Sequence, residues 1–257
     1  MLTVRRLPEV GLVALTMLLA AVWASVGLTA AGWGVGLFCG ALLNPVVAVA
    51  LHRTGARGPG PADVVTLTRA MLACGLAALT ADALVHQVHT HLFVPIAVVA
   101  LALDALDGWV ARRTHTCSAF GSRFDGEVDA FLILVLSVYV TPTFGAWILS
   151  AGLMRYAFAV AGCGVPWLRA RLPYRFWRKV VTASTGIVLT LAAADVQPRW
   201  LSTSALVVGL ALLVESFGRD VWWSWRHRVV TAEETASLGA TPMAPARAPT
   251  RARIEPV

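Results

Sequence analysis

Charge is what this sequence has least of. Only 14% of its 257 residues are charged and the mean hydropathy is +0.71, where an ordinary soluble domain carries roughly 25% charged residues. With 58% apolar residues, both a soluble globular domain and a disordered chain are excluded. Cysteine is also scarce. Cys39, Cys74, Cys117 and Cys163 form no CxxC pair and sit mostly in apolar runs, which argues against a zinc site or a disulfide framework. They read as small buried residues. Lysine is nearly missing: Lys179 is the only one among 21 basic residues. That arginine bias, with abundant alanine, points to a GC-rich bacterial genome. Acidic residues number 14, so the net charge is +7 and the isoelectric point is near 10. Such a value often marks nucleic-acid binding. Here the positive charge is scattered through short segments between apolar runs, so no nucleic-acid partner is expected.

What is present is a series of eight apolar segments, at roughly 8–30, 32–52, 62–84, 92–112, 124–141, 144–163, 179–195 and 200–218. Each is long enough, or nearly so, to cross about 30 Å of hydrocarbon at 1.5 Å per residue. The expected fold class is all-α, a polytopic membrane helix bundle. With the amino terminus in the cytoplasm and the sides alternating, 18 basic residues fall inside, Arg199 alone falls outside, and Arg69 and Arg155 lie within spans. This positive-inside bias predicts that both termini are cytoplasmic. Arg5 and Arg6 before an apolar run also fit a signal peptide, but the run is long for one and a second span follows directly. Gly32, Gly36 and Gly40 make a small-residue stripe for close helix packing. Trp222, Trp223 and Trp225 beside Arg226 and Arg228 read as an interfacial anchor. Residues 231–257 lack apolar periodicity and read as a disordered cytoplasmic tail against anionic headgroups. His86, His89 and His91 read as polar residues of an outside loop.

The chemistry concentrates in residues 103–131, which hold five of the 14 acidic residues. Carboxylates at the end of a membrane span are expensive and usually mark function. Asp104 and Asp107 are i, i+3 at the end of the fourth span, and Asp125 and Asp129 are i, i+4 at the start of the fifth. Each pair shares a helix face. The two helices run antiparallel across a short loop, so the four carboxylates can converge. Four such charges repel unless cations neutralise them. All-oxygen ligands suit Mg²⁺ or Mn²⁺, and four carboxylates suffice to bridge two ions, as in phosphoryl transfer. Gly108 and Ala111 leave room for a ligand against the helix. Arg112 is placed to pair with phosphate. Ser118 and Gly121 fall in the connecting loop, and Glu127 reads as a solvated loop-end residue.

The pattern Asp104-x-x-Asp107-Gly108-x-x-Ala111-Arg112, eight residues, then Gly121-x-x-x-Asp125-x-x-x-Asp129 resembles the signature of the CDP-alcohol phosphotransferases. All eight fixed positions are present; at roughly 5–8% usage per residue type, a chance match at one start is on the order of 10⁻¹⁰. The resemblance implies a six-helix membrane enzyme with its active site at the cytoplasmic face. Its core would occupy residues 59–230, with two extra helices in residues 1–58 and the tail from 231. It implies that Asp104, Asp107 and Asp125 bind two Mg²⁺ or Mn²⁺ ions. Asp129 would be both a ligand and the base towards the acceptor hydroxyl. Gly108, Ala111, Arg112, Ser118 and Gly121 would hold the CDP part. The donor would be a CDP-linked lipid, most simply CDP-diacylglycerol, with CMP released in phospholipid synthesis at the bacterial cell membrane. A homodimer is favoured.

Asp63, Thr66 and Arg69 share a face at the start of the third span and resemble the family's Asn-x-x-Thr-x-x-Arg, with Asp63 in place of Asn. They are candidates for nucleotide contact, against an Asp N-cap and a snorkelling Arg. Arg155 inside the sixth span needs a partner. With Lys179 and Thr182 it suggests a cationic pocket for a phosphorylated acceptor, such as glycerol phosphate or inositol phosphate. Two other classes remain at this stage: a cation-binding transporter, and a catalytically silent family member.

Overall fold

In a bilayer every backbone N–H and C=O must find its partner within the segment, so apolar runs of this length become helices. The computed structural model describes residues 7–53, 61–86, 89–113, 119–165 and 176–226, with side-chain detail for 11–43, 64–86, 89–106, 124–165 and 177–226. Among these residues there are eight α-helices and no strand: α1 (Leu7–Val26), α2 (Ala30–Arg53), α3 (Pro61–Ala83), α4 (Thr90–Arg113), α5 (Ala119–Phe144), α6 (Leu149–Gly164), α7 (Phe176–Ala194) and α8 (Arg199–Arg226). The all-α membrane bundle expected from composition is what the chain forms.

Among the described residues, four stretches are both long and apolar enough to cross a membrane: Val64–Ala83, Phe124–Phe144, Ala146–Gly164 and Arg199–Arg226. Gly11–Val26, Ala30–Leu43 and Thr90–Leu106 are shorter apolar helices. The chain is thus a multi-pass membrane protein. Large apolar side chains such as Met17, Phe38, Val160 and Val208 point outward, a cost in water but not in lipid.

Backbone chemistry sets the breaks. Gly27 takes φ +73° and its N–H donates to the Trp23 carbonyl at 2.8 Å, closing α1 with the left-handed residue that glycine accepts most readily. Gly145, at φ +104°, separates α5 from a 3₁₀ turn at Ala146–Ile148 that leads into α6. Pro61 opens α3 in the first helical position, where its missing N–H costs nothing. The helix therefore already includes Asp63 in its first turn. Similarly, α5 begins at Ala119, which puts Gly121 in a helical first turn rather than in the connecting loop. First-turn N–H groups have no partner within the helix, so glycine there still leaves the backbone open to a ligand.

The central helix is α3, which touches α1, α2, α4 and α5; α7 closes the bundle against α4, α5 and α8. Leu19, Leu76, Phe93, Leu136 and Leu189 form part of one continuous core. Alternating helix directions place the starts of α3, α5 and α7 and the end of α4 at one end of the bundle. At the other end Thr29 N–H donates to Asp82 Oδ1 at 2.9 Å, Phe93 stacks on Tyr139 at 3.6 Å, and Arg199 donates to the Thr143 carbonyl. His89 also lies at this end, its Nε2 3.7 Å from Asp82 Oδ2. The residues expected to form the tail, 231–257, lie outside the described residues.

Candidate active site

Four helices each deliver charge to one small volume. Asp125 and Asp129 lie one turn apart on α5, facing α3 and α4. Asp104 comes from the end of α4, Arg69 from α3 and Lys179 from the start of α7. The carboxylates of Asp104, Asp125 and Asp129 each present an oxygen within 4.8 Å of the others. Arg69 sits among them and is only 1% exposed. Its Nη1 lies 2.6 Å from Asp125 Oδ1 and 3.1 Å from Asp104 Oδ1, and its Nη2 donates to Asp129 Oδ1. Lys179 Nζ stands further off, 3.7 Å from Asp125 Oδ2 and 3.8 Å from Asp104 Oδ1.

The magnitudes decide what this arrangement can do. Two like charges about 4 Å apart repel by roughly 4 kcal/mol at an effective dielectric near 20, and the trio contains three such pairs. Among the described residues, one guanidinium in contact and one ammonium at the edge face the three carboxylates. Asp104 Oδ1 is buried and accepts no hydrogen bond, although Arg69 Nη1 is 3.1 Å away. Its charge faces cations that it shares with the other carboxylates, Arg69 at 3.1 Å and Lys179 at 3.8 Å. The donors are hard oxygens. Among the described residues no histidine or cysteine joins them. The residues present therefore fit a hard divalent cation such as Mg²⁺ or Mn²⁺, rather than zinc or copper.

The remaining site candidates divide by place. Asp107, Gly108, Ala111 and Arg112 are on the last turns of α4, and Asp63 is on the first turn of α3; their side chains lie outside the described detail. Ser118 lies outside the described residues altogether. Thr66 is buried one turn before Arg69. Thr182 is half-buried and donates its hydroxyl to the Arg178 carbonyl at 2.9 Å within its own helix. Arg155 does not join the trio: its guanidinium pairs with Glu127 and passes close to Gly126. Glu127 is therefore the ion-pair partner of an intramembrane arginine, not a free loop-end residue, because α5 begins well before it. Arg178 and the buried Asp220 form a second pair, with Nε 3.2 Å from Oδ2.

Sequence reasoning placed Arg69 only on a face with Asp63 and Thr66. Its central position among the aspartates had one available signal: a buried intramembrane arginine needs carboxylates, and the nearest group in such a topology is this one. Asp220 gave no signal, since nothing in its local sequence indicates Arg178 as partner.

The profile of the CDP-alcohol phosphatidyltransferase family matches residues 60–215, more than half of the chain. The matched stretch contains Arg69, the aspartate trio, Arg155 and Lys179, and leaves out α1 and α2. No curated protein and no solved structure gives a significant match to the chain.

Proposed function

Because the chain belongs to the CDP-alcohol phosphatidyltransferase family, we propose that it transfers a phosphatidyl group from CDP-diacylglycerol to an acceptor alcohol and releases CMP, in phospholipid synthesis. One observation carries this reading. Asp104, Asp125 and Asp129 share a single volume within 4.8 Å, on the facing ends of the two helices that bear the motif. Asp104, Asp107, Asp125 and Asp129 would hold two Mg²⁺ or Mn²⁺ ions. Those ions would supply charge stabilisation at the diphosphate and the leaving group.

The chain's own residues do the rest. Asp129 accepts the proton of the acceptor hydroxyl. The acceptor oxygen forms its bond to the lipid-side phosphorus, the diphosphate P–O bond breaks, and CMP carries away the electron pair. Gly108, Ala111 and Gly121 keep the helix surfaces low enough for the CDP part to lie against them, and Arg112, Ser118, Asp63 and Thr66 contact it. Arg69 holds Asp125 and Asp129 at a fixed separation, and its guanidinium offers charge to the transferring phosphate. Lys179 and Thr182 face the acceptor side, and the cation there favours a phosphorylated polyol such as glycerol phosphate or inositol phosphate; Arg155 reaches it only by leaving Glu127. The site and both termini are cytoplasmic, in a bacterial cell membrane, and the enzyme works as a homodimer.

The test is CMP release by the purified full-length protein from CDP-diacylglycerol, with Mg²⁺ or Mn²⁺, across glycerol phosphate, inositol phosphate, serine and alcohol acceptors. Metal-dependent release with one acceptor is expected. No release with any, from protein that binds the metal, would count against the reading; ion flux in vesicles without CMP would replace it with transport.

A further inference from the structure

The helices α1 and α2 precede the family-matched stretch, yet α2 is docked along α3. At the far end, Thr29 N–H donates to Asp82 Oδ1 at 2.9 Å, and Asp82 is 1% exposed. In the middle, neither Gly32 nor Gly36 has room for a side chain. A Cβ on Gly32 would lie 3.0 Å from the Ala78 carbonyl oxygen, and one on Gly36 would lie 3.1 Å from Ala78 Cβ and 3.0 Å from Leu19. At the site end, Leu43 packs with Leu67 against a small cluster of Ala70, Phe124 and Val128.

That cluster adjoins the charged site residue by residue. Ala70 follows Arg69, and Phe124 and Val128 precede Asp125 and Asp129. On α5 the Phe124–Val128 stripe lies about 100° of helix rotation from the carboxylate stripe. The cluster is thus the apolar wedge between α3 and α5, and its packing sets the distance and rotation between the Arg69 guanidinium and the two carboxylates. Leu43 also contacts the main core, so it ties the wedge to the rest of the bundle.

We propose that the α1–α2 hairpin is a positioning element of the transfer site and that it acts through Leu43. The proposal rests on the trio being the metal and transfer site. Removing the Leu43 side chain enlarges the cavity that it lines with Leu67 and Ala70, and α3 relaxes towards it, carrying Arg69 away from the two carboxylates. Carboxylates that must meet a cation together then lose their registration, and misplacement by about 1 Å is enough to cost on the order of 10²-fold in rate.

The test compares full-length Leu43→Ala with Leu28→Ala. Leu28 is more deeply buried, 3% exposed, and lies at the far end of the same hairpin. Three quantities are measured: Mn²⁺ affinity by electron paramagnetic resonance titration, kcat and KM for CMP release, and Tm. Leu43→Ala should weaken Mn²⁺ binding and lower kcat by roughly tenfold each, the scale of lost support around a metal site, with the donor KM little changed. Leu43→Met should restore both. Leu28→Ala should lower Tm at least as far and leave Mn²⁺ affinity and kcat within about twofold of wild type; if it does not fold, Leu43→Met and Leu43→Ala compared at equal distance below Tm serve instead. Losses in the two variants that simply follow Tm, or unchanged Mn²⁺ affinity in Leu43→Ala, would overturn the proposal. A Mn²⁺ defect in Leu43→Ala, beside a wild type that releases no CMP, would uphold the positioning role and discard the transfer reading.

Discussion

The two ends of this bundle each bury a carboxylate, and they satisfy it in opposite ways. At the far end, Asp82 Oδ1 receives the Thr29 N–H at 2.9 Å, and His89 Nε2 lies 3.7 Å from its Oδ2. At the site end, Asp104, Asp125 and Asp129 share one guanidinium, with an ammonium 3.7 Å away at the nearest. The first arrangement ties the start of α2 to the end of α3. The second gathers three carboxylates at high local density around shared cations, the kind of cluster that marks a candidate binding site. The difference separates structural polarity from functional polarity within one chain.

Substitutions at the two ends should therefore behave differently, and the largest contrast is expected at the base. Asp129→Asn should lower CMP release by at least about 10²-fold, the usual weight of a positioned general base, while the protein stays folded. Asp82→Ala should do the reverse. It leaves the half-buried Thr29 N–H without its acceptor, lowering stability by about 1 kcal/mol, and kcat of the folded fraction should hold. Equal loss of activity in the two would erase the distinction.

Arg69→Ala comes next. Removing the guanidinium leaves three carboxylates facing one another, and breaking such a buried cluster costs about 3–5 kcal/mol. Saturating Mn²⁺ should recover more thermal stability in this variant than in the wild type, because the ions then replace a lost cation; at 100 times its dissociation constant a ligand adds about 2.7 kcal/mol. Thermal melts with and without Mn²⁺ check this, and an identical Mn²⁺ shift in both proteins would show that the guanidinium and the ion do not share these oxygens. The smallest effect is expected at Arg155, whose pairing with Glu127 is half open to its surroundings. Arg155→Ala should raise the KM for a phosphorylated acceptor by about tenfold, the worth of one charge-assisted contact, and leave the donor KM unchanged. A rise in the donor KM instead would assign Arg155 to the CDP lipid.

Much of this was legible in the amino-acid order. Apolar run lengths give the helices, and the i, i+3 and i, i+4 spacings give the carboxylate faces, because helix periodicity is local. The glycine stripe of α2 is legible for the same reason. The start of α5 was harder: Ala119-Phe120-Gly121-Ser122 carries no apolar period, and only the packed structure shows a helix extending through it. Pairings across the bundle were not readable at all. Arg155 with Glu127, Arg178 with Asp220, Thr29 with Asp82, and Leu43 with the cluster around Ala70 all depend on which helix faces which and at what rotation. A single sequence constrains that only through the size of the residues at each contact.

The central claim is that the aspartate trio is a cation site and that Asp82, also a carboxylate and more deeply buried, is not. Mn²⁺ titration of the full-length protein, followed by electron paramagnetic resonance, tests it directly in the wild type, Asp125→Asn and Asp82→Asn. The account predicts saturable binding in the wild type, retained by Asp82→Asn and weakened by at least about tenfold in Asp125→Asn. Equal affinity in all three proteins, or loss confined to Asp82→Asn, would contradict it.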